Sequence, residues 1–396
     1  MLLLAVPLPV SGQAADPDSR AEALRQEREK KEQELKPNEP DALQRGMAFA
    51  ESRGLFLTAR DGFHPKLGTL TTGSGFAMGV GYRTHSVFDR YGLLELWTAG
   101  SLKKYWASEV RATFPALAQG RVRIEGLATI REYPREAFFG LGPDSQRADQ
   151  TSFALRTAEV STRVGARVAP PILVGGGLGF LRPKASPDAR DSARHIFHVF
   201  EPNTIPGLGM KTDYIRSSAF VEVDYRQPRN ARRGGWYRID FGHFEDRNNL
   251  WSFGRADVDL QQFIGVFADR RVIALRGWFS STTPAEDSLG VPFYLMPTLG
   301  GNDTLRGFRN YRFRGPHALL LQAEYRWELW SGLDAALFYD AGKVGMQRAD
   351  LGLNGLQSDY GFGFRFNTAN GVVLRVDAAF GSRDGKHLHI VFGGVF

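Results

Sequence analysis

A few groups of residues in this chain have types and spacings from which chemistry could be built. Ser74 lies in Thr72-Gly73-Ser74-Gly75. A serine nucleophile on a strand-to-helix elbow needs Gly-x-Ser-x-Gly, and this segment fails that spacing. The run Gly175-Gly176-Gly177-Leu178-Gly179 lacks the Gly-x-Gly-x-x-Gly spacing that brings backbone close to a pyrophosphate. It sits in an apolar segment, where small residues ease strand curvature. His195 with His198, and His387 with His389, form imidazole pairs. Neither pair is read as a metal centre. Cysteine is absent, which removes disulfides, thiolate nucleophiles and Cys-ligated metals. The expectation is therefore no enzyme, no cofactor and no metal. The remaining chemistry belongs to arginines and carboxylates, and its meaning depends on the elements that carry them.

Those elements alternate apolar and polar residues at period two, the mark of strands. Over Ala219 to Arg226, Ala219, Val221, Val223 and Tyr225 share one face, and Glu222, Asp224 and Arg226 the other. Near the C-terminus Val372, Leu374, Val376, Ala378 and Phe380 alternate with Arg375 and Asp377. Tyr360, Phe362, Phe364 and Phe366 alternate with Gly361, Gly363, Arg365 and Asn367. The expected strands are 73–83, 91–101, 104–114, 121–132, 152–168, 171–182, 215–226 and 235–245. They continue over 251–263, 270–281, 291–299, 317–329, 334–344, 357–368, 371–381 and 386–396. That is about sixteen, with Thr368-Ala369-Asn370-Gly371 as a tight hairpin turn. Residues 183–214 form a long connection which, in this count, falls on the side where turns should be short.

The polar faces carry opposite charges and the apolar faces end in Tyr, Trp and Phe. A soluble sandwich, the second-ranked fold, would turn its polar faces to bulk water. A transmembrane antiparallel β-barrel with a hydrated, charged lumen and aromatic girdles explains both features. Closure also satisfies backbone groups that lipid cannot. The mean hydropathy of −0.29 is no obstacle, because each strand shows lipid only every second residue. The net charge of +7 is scattered through strands rather than gathered in a stripe, so no nucleic acid is expected as a partner.

Ahead of the barrel, MLLLAVPLPV followed by Ser11-Gly12-Gln13-Ala14 reads as a signal peptide over 1–14. The usual basic start is missing, so the true start is expected upstream. Residues 15–72 read as a periplasmic helix and linker, with Glu27–Lys31 and Arg28–Glu32 at helical i,i+4 spacing. Pro37 and Pro40 end that helix, and 73–396 is left as the barrel. The chain closes on LHIVFGGVF, with Leu388, Ile390, Phe392 and Phe396 on one face.

Residues 297–315 read PTLGGNDTLRGFRNYRFRG, 319–326 read LLLQAEYR and 337–343 read LFYDAGK. In these passages the chain resembles the BamA/TamA-like outer-membrane superfamily, also called the bacterial surface antigen family. The matching motifs are the tetrapeptide Leu305-Arg306-Gly307-Phe308 and the F-x-D-x-G of Phe338, Asp340 and Gly342. FFGLGPDS, 138–145, resembles a further segment common in such proteins. Strand alternation by itself turns Glu324 and Asp340 to the polar face. The resemblance adds that the long loop folds into the lumen, where Arg306 would pair with Asp340 and Glu324. The C-terminal row resembles the signal by which the barrel assembly machinery recognises its substrates.

The resemblance implies an outer-membrane barrel engaged in assembly, insertion or translocation of proteins or lipids. Outer-membrane lipid, the assembly machinery and a client protein or lipid would then be its partners. The alternative is a passive pore or structural barrel without insertase activity. Insertases and secretion pores of the superfamily carry periplasmic POTRA modules. None fits convincingly in the residues before the first expected strand, so the chain reads as a short, POTRA-less member.

Overall fold

The computed structural model describes residues 61–392, apart from 88–91, 190–193, 228–230, 268, 331 and 369–370, together with Glu22 and Gln26. The chain divides into Met1–Pro40 and Asp41–Phe396. In the first unit Glu22 and Gln26 are helical and exposed. The expected export signal over 1–14 lies outside the described residues.

Among the described residues the second unit forms a sixteen-stranded antiparallel sheet. Its strands are β1 (Gly62–Gly68), β2 (Ala77–Val87), β3 (Gly92–Ser101), β4 (Trp106–Ala116), β5 (Val122–Phe138) and β6 (Thr151–Ala169). Next come β7 (Ile172–Ser186), β8 (Tyr214–Asp224), β9 (Gly234–Asp246), β10 (Phe253–Val266) and β11 (Arg271–Pro284). A long loop, 285–316, holds the two-residue strands β12 (Thr298–Leu299) and β13 (Phe313–Arg314), which pair only with each other. The sheet resumes with β14 (His317–Trp330), β15 (Leu333–Gly345), β16 (Gln357–Thr368), β17 (Gly371–Ser382) and β18 (Gly385–Val391). Each strand of this sheet pairs with the sheet strand next along the chain, β11 meeting β14 across the long loop, so the barrel is an up-and-down meander around a lumen.

Two expected spans are corrected, and the errors compensate. Residues 62–68, assigned to the linker, form β1, so the barrel begins before 73. Pro65 and two glycines in GFHPKLG hide the strand, because proline withholds a ladder donor and is tolerated only at an edge. Residues 291–299, expected to cross the membrane, are instead a turn of 3-10 helix at Phe293–Leu295 followed by β12. The missing first strand had also inverted the direction of every strand up to that point. With β1 restored, the long connections 139–150, 187–213, 285–316 and 346–356 all leave one rim. Turns such as 170–171 leave the other, the asymmetry of long extracellular loops and short periplasmic turns. The long connection after β7 thus sits on the long-loop side.

Outward positions are apolar. Met78, Val160, Leu178, Phe241, Tyr339 and Tyr360 are all more than half exposed. Inward positions on β4 to β9 carry half-buried ion pairs, among them Arg111–Glu125, Arg238–Glu222 at 2.8 Å and Arg238–Asp240 at 2.9 Å. Gly175, Gly177 and Gly179 contribute no lumen side chain from β7, and this opens a path across that strand. Arg123 on β5 reaches Glu222 on β8 at 3.6 Å, and Arg163 on β6 reaches Asp240 on β9 at 3.5 Å.

At the long-loop end the lumen is filled by apolar packing. Phe138, Phe153 and Ala185 from the wall meet Ile196 and Ile205 of one loop and Phe293 and Tyr294 of another. Beside them Leu181, Tyr214, Phe244 and Phe253 enclose Val291 and Met296. Among the described residues no ladder joins β1 to β18, though Gly68 and Phe392 lie close enough that a Cβ on the glycine would be 3.6 Å from that of Phe392.

Candidate functional site

Loop 285–316 turns into the lumen and is fixed there by alternating apolar and charged contacts. Leu305 and Phe308 are buried with Leu299 and Phe313 against the inward side chains Ala318, Leu320 and Val344 of β14 and β15. Between these two anchors Arg306 is fully buried. Its Nε and Nη2 each donate to an Asp340 oxygen at 2.7 Å, and Nη1 donates to Glu324 at 2.6 Å and to Asp377 at 3.4 Å. A planar fork on a carboxylate fixes orientation as well as distance. The guanidinium also lies 3.5 Å from the centre of the Phe338 ring, a cation–π contact. Burial alone would pull Arg306 down, but the carboxylates of Asp340 and Glu324 override it and hold the guanidinium well above its ordinary range.

The motif glycines make room for this packing. A Cβ on Gly307 would come within 2.5 Å of the Asp359 Cβ. On Gly342 it would meet the Leu319 carbonyl oxygen at 2.7 Å and Leu299 at 3.1 Å. Phe338 and Asp340 occupy the lumen side of β15 in alternation with exposed Leu337 and Tyr339.

The cluster is wider than the motif. Glu324 also accepts from Arg326 at 2.7 Å and from Arg365 at 2.8 Å. Asp377 accepts from Arg365 at 2.5 Å and from Arg375 at 3.2 Å. Arg375 donates back to the loop, to the Asn302 carbonyl and to Asp303, both at 2.7 Å. Gln322 bridges Thr304 O and Asp340, and His389 Nε2 lies 2.7 Å from the Arg306 carbonyl oxygen. Alternation placed Arg365, Arg375 and Asp377 on the polar face, but nothing in the sequence marked them as partners of Arg306.

Further up the loop, Arg312 bonds Ser145 at 2.7 Å and reaches Asp384 at 3.3 Å. Arg314 bonds Glu136 at 2.5 Å and the Phe293 carbonyl at 2.9 Å. Gly142 N donates to Arg314 O. Segment 138–145 is therefore the wall onto which the loop is strapped, a role the sequence did not show.

The other candidates fall elsewhere. Ser74 is buried and accepts from the backbone of Leu70 and Thr71, which makes it a turn residue. His195 caps a helical turn by accepting from Phe197 N. Among the described residues no three His, Asp or Glu gather as a metal site. In the C-terminal row Leu388 and Ile390 are exposed on the outer wall, and the Phe392 ring lies 6.0 Å from that of Phe76. Phe396 lies outside the described residues.

Residues 205–394, from the loop before β8 to the end of the sheet, match the Omp85 superfamily domain. This C-terminal part of the barrel carries an Omp85 superfamily domain. Solved structures agree at the level of fold. BamA from Haemophilus ducreyi lacking POTRA domains 1–3 aligns with a TM-score of 0.61 at 15% identity, over 87% of this chain and 76% of that one. CdiB from Escherichia coli aligns at 0.57 and 12% identity, over 84% of this chain and 63% of that one. CdiB from Acinetobacter baumannii aligns at 0.53 and 12%, over 83% and 58%. The chain thus spans less than two thirds of either CdiB. Comparison with curated protein sequences gives no match. A barrel that contains an Omp85 superfamily domain and has an apolar outer wall indicates the bacterial outer membrane. Within the Omp85 domain lie the whole loop 285–316 and all of its charged partners on β14 to β18.

Proposed function

We propose that this Omp85 barrel assists the assembly, insertion or translocation of proteins or lipids at the outer membrane. The observation that carries the reading is the loop clamped inside the lumen by Arg306 next to a sheet whose first and last strands share no ladder among the described residues. The lumen loop is fixed to β14–β17 and, among the described residues, no ladder bond ties β1 to β18, which suits a wall that must receive or release a client. The apolar packing at the long-loop end also fits poorly with open diffusion of solutes, the alternative role. The partners in this reading are outer-membrane lipid, the assembly machinery that recognises Leu388, Ile390, Phe392 and Phe396 during biogenesis, and a client protein or lipid. Export through residues 1–14 and a periplasmic segment over the residues that follow complete it.

A strain lacking the protein tests the proposal. Altered outer-membrane protein or lipid content supports an assembly role. An unchanged profile with changed solute uptake supports the pore.

A further inference from the structure

On β5 to β9 the middle of the outer wall is apolar, with Ile130, Val160, Leu178, Ile215 and Phe241 exposed. Towards the long-loop rim the same outward rows become charged, and in one place the charges do not alternate. Arg156 on β6 stands directly opposite Lys184 on β7. Lys184 in turn stands opposite Lys211, which leads into β8. All three are exposed, and they face outward because their chain neighbours Leu155, Ala185 and Thr212 turn inward, the first two into the lumen packing and Thr212 onto Tyr294. Like charges directly opposite on a sheet are destabilising. Unlike charges stand opposite one another at Arg83–Glu95 and Glu222–Arg238, and where two arginines are opposed in the lumen, Arg365 and Arg375, the Asp377 carboxylate bonds both.

Nearby acids do not relieve the row. Asp213 is held by the Arg182 fork at 2.9 and 3.0 Å. Glu132 stands opposite Arg156 on its far side, and Glu245 stands opposite Ile215, so both flank the row. Among the described residues no ion pair is formed by Arg156, Lys184 or Lys211. A groove of about 520 Å³ opens beside them, lined by Lys184, Lys211, Arg247 and Asn248 together with the Arg182–Asp213 pair.

We infer that this row binds the phosphorylated headgroup of an outer-leaflet glycolipid. The placement selects lipid over free anion. The cations stand at the upper edge of the apolar band, so a lipid whose chains lie against Val160, Leu178 and Ile215 brings its phosphate to Lys184 and Lys211. Phosphate oxygens between the three cations replace like-charge repulsion with charge-assisted hydrogen bonds.

The test uses the purified full chain in a zwitterionic detergent, with lipid adducts read by native mass spectrometry. The probes are a diphosphorylated acyl-disaccharide lipid, the same lipid stripped of phosphate, and sodium phosphate as competitor. The wild type should retain the diphosphorylated lipid roughly tenfold better than the dephosphorylated one. Arg156→Gln/Lys184→Gln/Lys211→Gln should lose that preference while the barrel still resists unfolding in the cold gel. Lys184→Glu supplies the missing anion covalently. It should abolish the preference and raise the unfolding temperature in lipid-free micelles, an outcome a misfolded variant does not give. Equal retention of both lipids, an unchanged preference in the triple variant, or full displacement by sodium phosphate each overturns the inference, the last because it marks a free-anion site.

Discussion

Arg306 spends its guanidinium on three acidic side chains, and each of those acids is shared with another arginine or with Gln322. Removing one member of such a buried set leaves the others unpaired, a loss commonly of about 3–5 kcal/mol that lumen water reduces. Arg306→Ala should therefore release the loop, seen as faster proteolysis within 285–316 and larger or noisier single-channel conductance. Asp340→Asn should act in the same way. The double variant should be little worse than either single, because partners in contact are not additive. A cycle in which the two effects simply add would falsify the coupling. Gly307→Ala should destabilise the loop by about 1–3 kcal/mol through overpacking, since the new methyl meets Asp359. Arg306, Glu324 and Asp340 were legible from a tetrapeptide and from alternation. Arg365, Arg375 and Asp377 were legible only as lumen residues. Which of them meet depends on the curvature that carries β16 and β17 round to the loop, and no local pattern encodes it.

Among the elements, alternation exposed the strands whose two faces differ and failed where they do not. β1 contains Pro65 and begins and ends in glycine, so its period is faint; 291–299 looked apolar enough to cross, yet its Phe293 and Tyr294 are buried in lumen packing. Strand count survived because one omission offset one addition. Direction did not, and rim asymmetry is the observation that restores it. Two element-scale predictions follow from the junction of β1 and β18. Gly68→Cys with Phe392→Cys places two Cβ atoms about 3.6 Å apart, within the range a disulfide spans, in a chain with no other cysteine. Oxidation should cross-link them, visible as a mobility shift reversed by reductant. Gly68 sits at φ +146°, so this variant should also lose some stability. If client insertion needs the two strands to part, the oxidised form should be inactive and the reduced form active. Separately, deleting Phe396 should lower the amount of folded barrel in the outer membrane without changing synthesis. Equal folded yield would reduce Leu388 and Ile390 to ordinary lipid-facing surface.

As a whole molecule, a meander in which every strand pairs with its sequence neighbours should behave as one cooperative, detergent-resistant unit. Unboiled protein should run faster on a gel than boiled protein, and a chain that ignores boiling would contradict the architecture. The position of the loop has a further consequence, for the order of events during folding. All the side chains that grip Arg306 come after it in sequence, the furthest being His389, 83 residues on. The apolar packing above the loop is drawn from β5 to β10, far earlier in the chain. Once that packing has formed around Phe293 and Met296, a 32-residue segment such as 285–316 can no longer be threaded into the lumen from outside. The loop must therefore be captured by β14 to β17 while the wall is still an open sheet. A curled C-terminal intermediate, with loop amides protected before those of β2 to β4, is the kinetic signature to seek by pulsed hydrogen exchange during refolding into micelles.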